Sequence, residues 1–150
     1  MKKIASFTVD HTVLSEGIYL SRVDGDVYTY DVRMKKPNGN DYLDYPVMHT
    51  IEHLFATFAR NSKVQDKIIY VGPMGCRTGF YFLIRDPDPK IAIEIIKDSF
   101  NFIANFQDVV PGTTAIECGN YLEHDLEGAK KEAKKYYDII KNYTEKQINY

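Results

Sequence analysis

His49-Thr50-Ile51-Glu52-His53 carries two imidazoles four residues apart, with a carboxylate between them. On a helix, positions i and i+4 lie one above the other on the same face, which is the spacing needed to bind one divalent ion. Glu52 shares that face and can act as an acid or base beside the metal without being a ligand. The pattern therefore predicts a metal-binding helix. The alternative is a solvated helix face that carries two histidines by coincidence.

The residues around this motif predict where the helix begins and which face it buries. Pro46 is favoured at the first helical position, and Asp44 just upstream suits the positive end of the helix dipole. Apolar residues at helical spacing form a stripe beside the motif. They are Val47, Ile51, Leu54, Phe55, Phe58 and Ala59. We therefore expect one helix to contribute both to the core and to the site.

Further elements are predicted on both sides of this helix. Strands are expected at residues 18–23, 27–34, 68–71 and 78–84, and the first two flank Asp24-Gly25-Asp26, which is typical of a hairpin turn. Two more helices are expected to open at Asp86-Pro87-Asp88-Pro89 and near Asp125, the latter running to Tyr143. The last seven residues are polar, and we expect them to be frayed. Hairpins interspersed with helices predict an α+β fold, a mainly antiparallel sheet packed against helices in a single domain, residues 1–150.

The overall composition is that of an ordinary globular protein. Of the 150 residues, 44% are hydrophobic and 27% charged. The formal net charge of -2 gives no electrostatic reason to expect nucleic acid or a membrane surface as partner. No apolar run has the length of a membrane span, and polar residues follow Lys2 and Lys3 too closely for a signal peptide. We expect a cytoplasmic protein.

Two histidines cannot complete a four-coordinate metal site, so another side chain must contribute. Cys118 is the best candidate, with Gly119 allowing the backbone to approach closely. Two His, one Cys and an open position make a catalytic arrangement, because a structural site is closed by a fourth protein ligand. The alternative is a buried, inert thiol.

The second cysteine, Cys76, lies in a glycine-rich turn and is followed by Arg77, a neighbour that could favour the thiolate. A thiolate on a tight turn can act as a general base or nucleophile. The alternative is a small buried residue between two strands. Glu52 and Cys76 together would provide two bases around a Lewis-acidic metal, which suits proton abstraction next to a carbonyl.

Six ordered motifs run along essentially the whole chain. They are Ser6-Phe7 with Asp10-His11; Asp31-Val32-Arg33 with Pro37-Asn38; His49-Thr50-Ile51-Glu52-His53-Leu54; Pro73-Met74-Gly75-Cys76 with Thr78-Gly79; Cys118-Gly119; and His124-Asp125-Leu126-Glu127-Gly128-Ala129-Lys130. In these motifs the chain resembles the S-ribosylhomocysteine lyases, the LuxS family. The resemblance implies cleavage of the thioether of S-ribosyl-L-homocysteine to L-homocysteine and 4,5-dihydroxy-2,3-pentanedione, the precursor of autoinducer-2.

The resemblance also implies roles for particular residues. The metal, Fe²⁺ natively and Zn²⁺ or Co²⁺ in preparations, would be held by His49, His53 and Cys118. Cys76 and Glu52 would move protons while the carbonyl migrates along the ribose chain, before β-elimination of homocysteine. The family is a homodimer with its sites at the subunit interface. Residues that would line a site shared with the partner chain are Ser6, His11 and Arg33.

Arg60 follows His53 by seven residues, about 10 Å along a helix axis. That is comparable to the length of an extended substrate, so Arg60 could meet the homocysteine carboxylate while the ribose lies at the metal. The alternative is a solvent-exposed arginine at the helix end. Three departures from the family pattern concern the same end of the substrate. They are Tyr70, where many members have an acidic residue, Gly72, where Ser is usual, and Arg77, where Gln is common.

Two other functions remain to be weighed. An inverzincin-type metallohydrolase uses the same helix motif, with Glu52 activating water and Glu117 or Glu123 replacing Cys118 as ligand. Such peptidases are usually longer chains, and Cys76 would have no role. A non-enzymatic protein could use the metal, or a Cys76–Cys118 disulfide, only to stabilise the fold, but a domain of this size scarcely needs it. Signalling and homocysteine recycling would use the same lyase chemistry.

Overall fold

One antiparallel sheet and three α-helices build the protein, and the computed structural model describes all 150 residues. The strands are β1 (Gly17–Asp24), β2 (Val27–Arg33), β3 (Ile68–Pro73) and β4 (Gly79–Ile84). Their order in the sheet is β1-β2-β4-β3, and every neighbouring pair is antiparallel. The helices are α1 (Tyr45–Arg60), α2 (Pro89–Ala104) and α3 (Leu126–Ile140). The predicted α+β fold with an antiparallel sheet is confirmed.

Short-range signals account for where these elements begin. Gly25 has a positive φ of 60° between β1 and β2, as the predicted hairpin turn requires. Asp88 and Asp125 cap α2 and α3, each accepting a hydrogen bond from a backbone N–H of the first turn. Helix α3 ends at Ile140, one turn before the expected end at Tyr143. None of the helices combines the length and apolarity that crossing a bilayer requires.

The helices cover only one face of the sheet. Alternate strand residues point toward them and are fully buried, and Phe55 of α1 packs against three of the aromatic rings in this core, those of Phe80, Phe82 and Phe100. The other face carries a different set of side chains, many of them polar: Ser21, Thr29, Asp31, Arg33, Tyr81 and Leu83. The sheet therefore separates an apolar core from a face that is available for a site.

The C-terminal segment is ordered, so the expectation that it is frayed is wrong. Thr144 and Gln147 form a reciprocal capping box around a short 3-10 helix. The backbone N–H of Leu20 in β1 then donates to the carbonyl of Ile148 at 2.8 Å, and Ile148 is only 7% exposed. Two contacts hold this segment: Ile148 packs in the core, and Tyr150 stacks on Tyr19. The polar composition of the tail gave no indication of either.

Candidate active site

The two histidines of α1 face the loop that precedes α3. The Nδ1 atom of His49 lies 2.8 Å from the carbonyl oxygen of Glu123, and that of His53 lies 2.8 Å from the carbonyl oxygen of Pro111. A carbonyl oxygen only accepts, so each Nδ1 carries the proton and each Nε2 presents a lone pair. Metal-ligating histidines are oriented in this way in known sites.

Cys118 is brought to this pair by the same loop. Its Sγ lies 3.3 Å from Nε2 of His49, and its backbone N–H is held by the carbonyl of Thr114. The close backbone approach expected at Gly119 occurs elsewhere, because a methyl group on Gly119 would meet nothing within 4 Å. It occurs at Gly112, which has a φ of 75° and where an added methyl group would lie 3.0 Å from Nδ1 of His53.

A third imidazole, that of His124, joins the cluster and was not predicted as a site residue. Its ring stacks on His49 with centroids 4.1 Å apart and meets His53 edge-on at 4.8 Å. The Thr50 hydroxyl donates to Pro46 within α1, so its oxygen accepts from Nδ1 of His124 at 3.0 Å. Nε2 of His124 is then a lone pair, and it is buried without a hydrogen-bond partner. The sequence offered two signals for His124, because it opens the last of the six motifs and lies directly before the cap of α3.

The four side chains suit a divalent transition metal. The ligand atoms of His49, His53, Cys118 and His124 all lie within 4.8 Å of one another. Burial, followed by the charges of His49 and His53, lowers the pKa of His124 to about 4, so this ring is neutral at physiological pH. Neutral imidazoles with one thiolate are the donors that Zn²⁺ and neighbouring first-row metals prefer. The arrangement therefore supports a bound metal.

Glu52 lies on the same helix between the two histidines and is half-buried. Its carboxylate makes no hydrogen bond and no ion pair within the chain, and it is not part of the metal cluster. A carboxylate in this position is free to exchange a proton with a bound molecule.

Four of the five remaining site residues meet in a cavity of about 350 Å³ on the open face of the sheet. Ser6 and His11 come from the N-terminal arm, Arg33 from the end of β2, and Cys76 from the turn between β3 and β4. The sequence placed these four residues in one substrate site only through the resemblance. The fold brings them together because the arm crosses the face that the helices leave open.

Arg33 connects this cavity to Cys76 and is only 3% exposed. Its Nη1 donates to the Thr78 hydroxyl at 2.8 Å, and the Cys76 thiol lies 3.0 Å from the same hydroxyl. Burial acts to lower the pKa of Arg33, but the hydrogen bond from Arg33 to Tyr150 and the charges of Tyr150, Asp31 and Cys76 outweigh it and raise the pKa. A permanent cation is thus held beside the thiol.

Arg77 does not provide that cation, although it follows Cys76 directly. Its guanidinium lies over the rings of Tyr42 and Tyr45, 5.7 Å and 5.2 Å from their centroids. Its backbone has a positive φ of 61°, which is unusual for a residue with a side chain. Arg77 therefore shapes the turn that presents Cys76, and the charge near the thiol comes from β2.

Arg60, which was predicted to bind the substrate, lies outside both clusters, and so do Tyr70 and Gly72. The Arg60 guanidinium is exposed and donates to the carbonyl of Ile69 at 2.8 Å. The ring of Tyr70 lies so close over Gly72 that a methyl group at position 72 would collide with it. Tyr70 is half-exposed, so a side chain at position 72 would require its ring to turn toward solvent.

The metal cluster and the cavity are separate within one chain. No residue of the metal cluster lines the cavity, and neither does Glu52. Of the residues predicted for a single site, the fold therefore unites one group of three (His49, His53, Cys118) and another of four (Ser6, His11, Arg33, Cys76).

Comparison with known proteins identifies the family. Residues 4–147 match the family model of S-ribosylhomocysteinase (LuxS). An S-ribosylhomocysteine lyase of Desulfotalea psychrophila is 46% identical over 157 residues, covering 100% of this chain and 99% of that protein. One of Borreliella burgdorferi is 46% identical over 156 residues, and one of Porphyromonas gingivalis 47% over 157, each covering 100% of this chain and 99% of the relative. The resemblance seen in the motifs is confirmed, and the chain belongs to the LuxS family of S-ribosylhomocysteine lyases.

Proposed function

We propose that the enzyme cleaves the thioether of S-ribosyl-L-homocysteine, releasing L-homocysteine and 4,5-dihydroxy-2,3-pentanedione. Support comes from relatives named S-ribosylhomocysteine lyase, which are 46–47% identical over the whole chain. The observation that carries the proposal is the convergence of His49, His53 and Cys118 on one point, since Cys118 lies far along the chain from the two histidines of α1. The product would serve autoinducer-2 signalling, homocysteine recycling in the activated methyl cycle, or both.

The metal would be held by His49, His53 and Cys118, with Fe²⁺ as the proposed native ion. A divalent ion at this place supplies Lewis acidity that polarises a carbonyl oxygen. The backbone carbonyls of Glu123 and Pro111 keep the Nδ1 protons in place and so hold both imidazoles in the ligating tautomer. His124 also belongs to the metal cluster, but we propose that it supports His49 by stacking and is not a ligand, so that the substrate would complete the coordination.

Two bases would share the proton transfers. The carbonyl moves one position along the ribose chain in two transfers. A proton leaves the adjacent hydroxyl-bearing carbon and returns to the former carbonyl carbon, while the hydroxyl proton passes to the former carbonyl oxygen. Glu52 has a free carboxylate, and Cys76 has a thiol next to the Arg33–Thr78 pair, so one can remove a proton while the other returns it. A final proton abstraction then expels homocysteine as a thiolate, which breaks the carbon–sulfur bond.

A homodimer would bring the two halves of this chemistry together. The metal cluster and the cavity are separate in one chain, and large apolar side chains are exposed beside both. They are Ile4, Phe7 and Val13 of the N-terminal arm, and Val109, Ile116 and Leu122 of the loop that carries Cys118. Phe7 is 67% and Ile116 is 98% exposed, and exposed apolar groups of this kind mark interaction surfaces. We propose that the arm and cavity of one copy cover the metal centre of the other.

The geometry argues against a metallohydrolase of the inverzincin type and against a structural disulfide. A metallohydrolase of the inverzincin type needs a carboxylate ligand, but the carboxylates of Glu117 and Glu123 are bonded to Thr114 and Asn120 and lie outside the metal cluster. A structural disulfide is absent, because Cys76 and Cys118 are both free. A Cys118→Ala enzyme that still binds one metal per chain would contradict the proposed ligand set.

Thiol release is the direct test of the proposed function. The enzyme is loaded anaerobically with Fe²⁺, supplied with excess S-ribosylhomocysteine, and assayed for free homocysteine with a thiol reagent. We expect metal-dependent release that is lost in Cys76→Ala and retained in the control Tyr137→Phe, which removes a hydroxyl from α3. A folded, metal-loaded wild-type enzyme that releases no thiol would contradict the proposal.

A further inference from the structure

We propose that Tyr150, the last residue of the chain, is a positioning residue of the active site that orients Arg33 through hydrogen bonds to Arg33 and Asp31. This inference rests on the proposed function, because it takes the cavity around Cys76 as the place where substrate binds. Tyr150 lines that cavity together with Ser6, His11 and Cys76.

Contacts along the C-terminal segment fix the position of the Tyr150 ring. The Thr144–Gln147 capping box fixes the short helix after α3, and Tyr143 donates from its hydroxyl to the carbonyl of Gln147 at 2.8 Å. Ile148 is then bound to β1 through its backbone carbonyl. The ring of Tyr150 stacks on Tyr19 with centroids 4.6 Å apart and planes inclined by 10°. Ordering this segment costs conformational entropy, which these contacts must offset.

The hydroxyl of Tyr150 bridges two buried charges. It donates to Oδ2 of Asp31 and accepts from Nη2 of Arg33 at 3.3 Å. Burial, followed by the hydrogen bond and charge of Asp31, raises the pKa of Tyr150, so the phenol keeps its proton and remains the donor. Nη1 of Arg33 donates to the Thr78 hydroxyl, so Thr78 and Tyr150 hold the two terminal nitrogens of the guanidinium.

The Asp31–Arg33 pair is incomplete without a further partner. Oδ1 of Asp31 and Nε of Arg33 are both buried and make no hydrogen bond, although the two residues are only 6% and 3% exposed. Buried polar atoms without partners are rare and costly. These two atoms are closed to solvent, but Asp31 and Arg33 both line the cavity, so a bound open-chain sugar would meet other atoms of the pair. Its hydroxyl groups can donate to a carboxylate and accept from a guanidinium. Holding the pair in place would therefore contribute to substrate binding.

Two substitutions distinguish the contribution of the Tyr150 ring from that of its hydroxyl. Tyr150→Phe keeps the stacking on Tyr19 and removes only the hydroxyl, whereas Tyr150→Ala removes both. Tyr137→Phe is the matched control, because the Tyr137 hydroxyl on α3 makes no hydrogen bond within the chain and lies outside the cavity. All variants are assayed as metal-loaded enzyme for homocysteine release, and their metal content and thermal midpoints are measured alongside.

We expect Tyr150→Phe to raise KM about tenfold and to leave kcat within about twofold, because a lost bond to a charged group weakens binding by roughly that factor. Tyr150→Ala should raise KM further, and Tyr137→Phe should change neither constant. In an Asp31→Asn background the additional effect of Tyr150→Phe should shrink to less than about twofold, since coupled residues are not additive.

Several results would overturn the inference. Unchanged constants in Tyr150→Phe would do so, as would a loss of kcat that follows metal content or folded fraction while KM stays constant, because that marks a purely structural role. The same Tyr150→Phe effect in the Asp31→Asn background would show that Tyr150 acts independently of the pair. These outcomes differ from failure of the proposed function, in which the wild-type enzyme itself releases no homocysteine and both proposals fall.

Discussion

Gly112 lies against His53, and a methyl group on its α-carbon would be 3.0 Å from the imidazole Nδ1. The same ring donates to the carbonyl of Pro111, the residue immediately before Gly112. A single dipeptide in the loop thus fixes both the tautomer and the position of His53, a proposed metal ligand on α1. The loop is therefore part of the metal centre even where it contributes no ligand.

Gly112→Ala should weaken metal binding and destabilise the protein. Its φ of 75° costs a residue with a side chain roughly 1–2 kcal/mol, and the new methyl group must push His53 aside. Urea unfolding and competition with a chromogenic chelator measure the two effects. Gly75→Ala is the control, because an added methyl group there meets nothing within 4 Å and its φ is not positive. Equal behaviour of both variants would contradict the role given to Gly112.

Glu52→Gln should reduce homocysteine release by roughly 10²–10⁴-fold, the usual contribution of a general acid or base. The amide has the size of the carboxylate but cannot exchange the proton. Metal content should stay at the wild-type value, because Glu52 is not a member of the metal cluster. Steady-state kinetics and metal analysis of the purified variant provide the check. Loss of the metal together with activity would instead make Glu52 a ligand.

Ile116→Glu should weaken the proposed homodimer. This side chain is 98% exposed beside the metal loop, and burying a glutamate in an apolar interface costs several kcal/mol. Light scattering coupled to size exclusion should give a larger monomer fraction than in wild type, with homocysteine release reduced in proportion. The matched control is Ile139→Glu, which changes an exposed apolar residue of α3 that belongs to neither cluster. A wild-type protein that is monomeric and fully active would exclude the shared site.

Asp86 should make the protein sensitive to acid. A hydrogen bond from Lys67 at 2.5 Å, and then one from the backbone of Asp88, lower the pKa of this buried carboxyl. Because the folded state binds the proton less readily than the unfolded chain, the stabilisation is present above about pH 4 and is lost as the pH falls through the folded pKa. Unfolding free energies between about pH 5 and 2.5 should therefore fall more steeply in wild type than in Asp86→Asn.

Asp66→Asn provides the comparison for this acid effect. Asp66 is exposed and makes neither an ion pair nor a hydrogen bond, so its replacement should leave the acid profile of wild type unchanged. If Asp86→Asn had the same profile as wild type, the Lys67–Asp86 pair would contribute nothing to stability.

The starts of the helices and the hairpin turn could be predicted from the sequence, because the interactions that set them reach only a few residues along the chain. Pro46, Asp88 and Asp125 begin helices by contacts that reach at most four residues, and Gly25 turns a hairpin by its own backbone freedom. The i, i+4 spacing likewise places His49 and His53 on one face of α1 before any tertiary contact forms. The tail was predicted wrongly because composition does not reveal that Ile148 has a place in the core.

The partners of these residues depend on how distant segments pack. His124 stacks on His49, 75 residues earlier, only because α3 begins beside α1, and no local pattern encodes that distance. Arg77 is next to Cys76 in the chain, yet the cation coupled to the thiol is Arg33, because β2 and β4 are neighbours in the sheet. The amino-acid pattern therefore specified the chemical groups and the elements that carry them. Tertiary packing decided which groups meet, since long-range contacts are set by buried surface and sheet register.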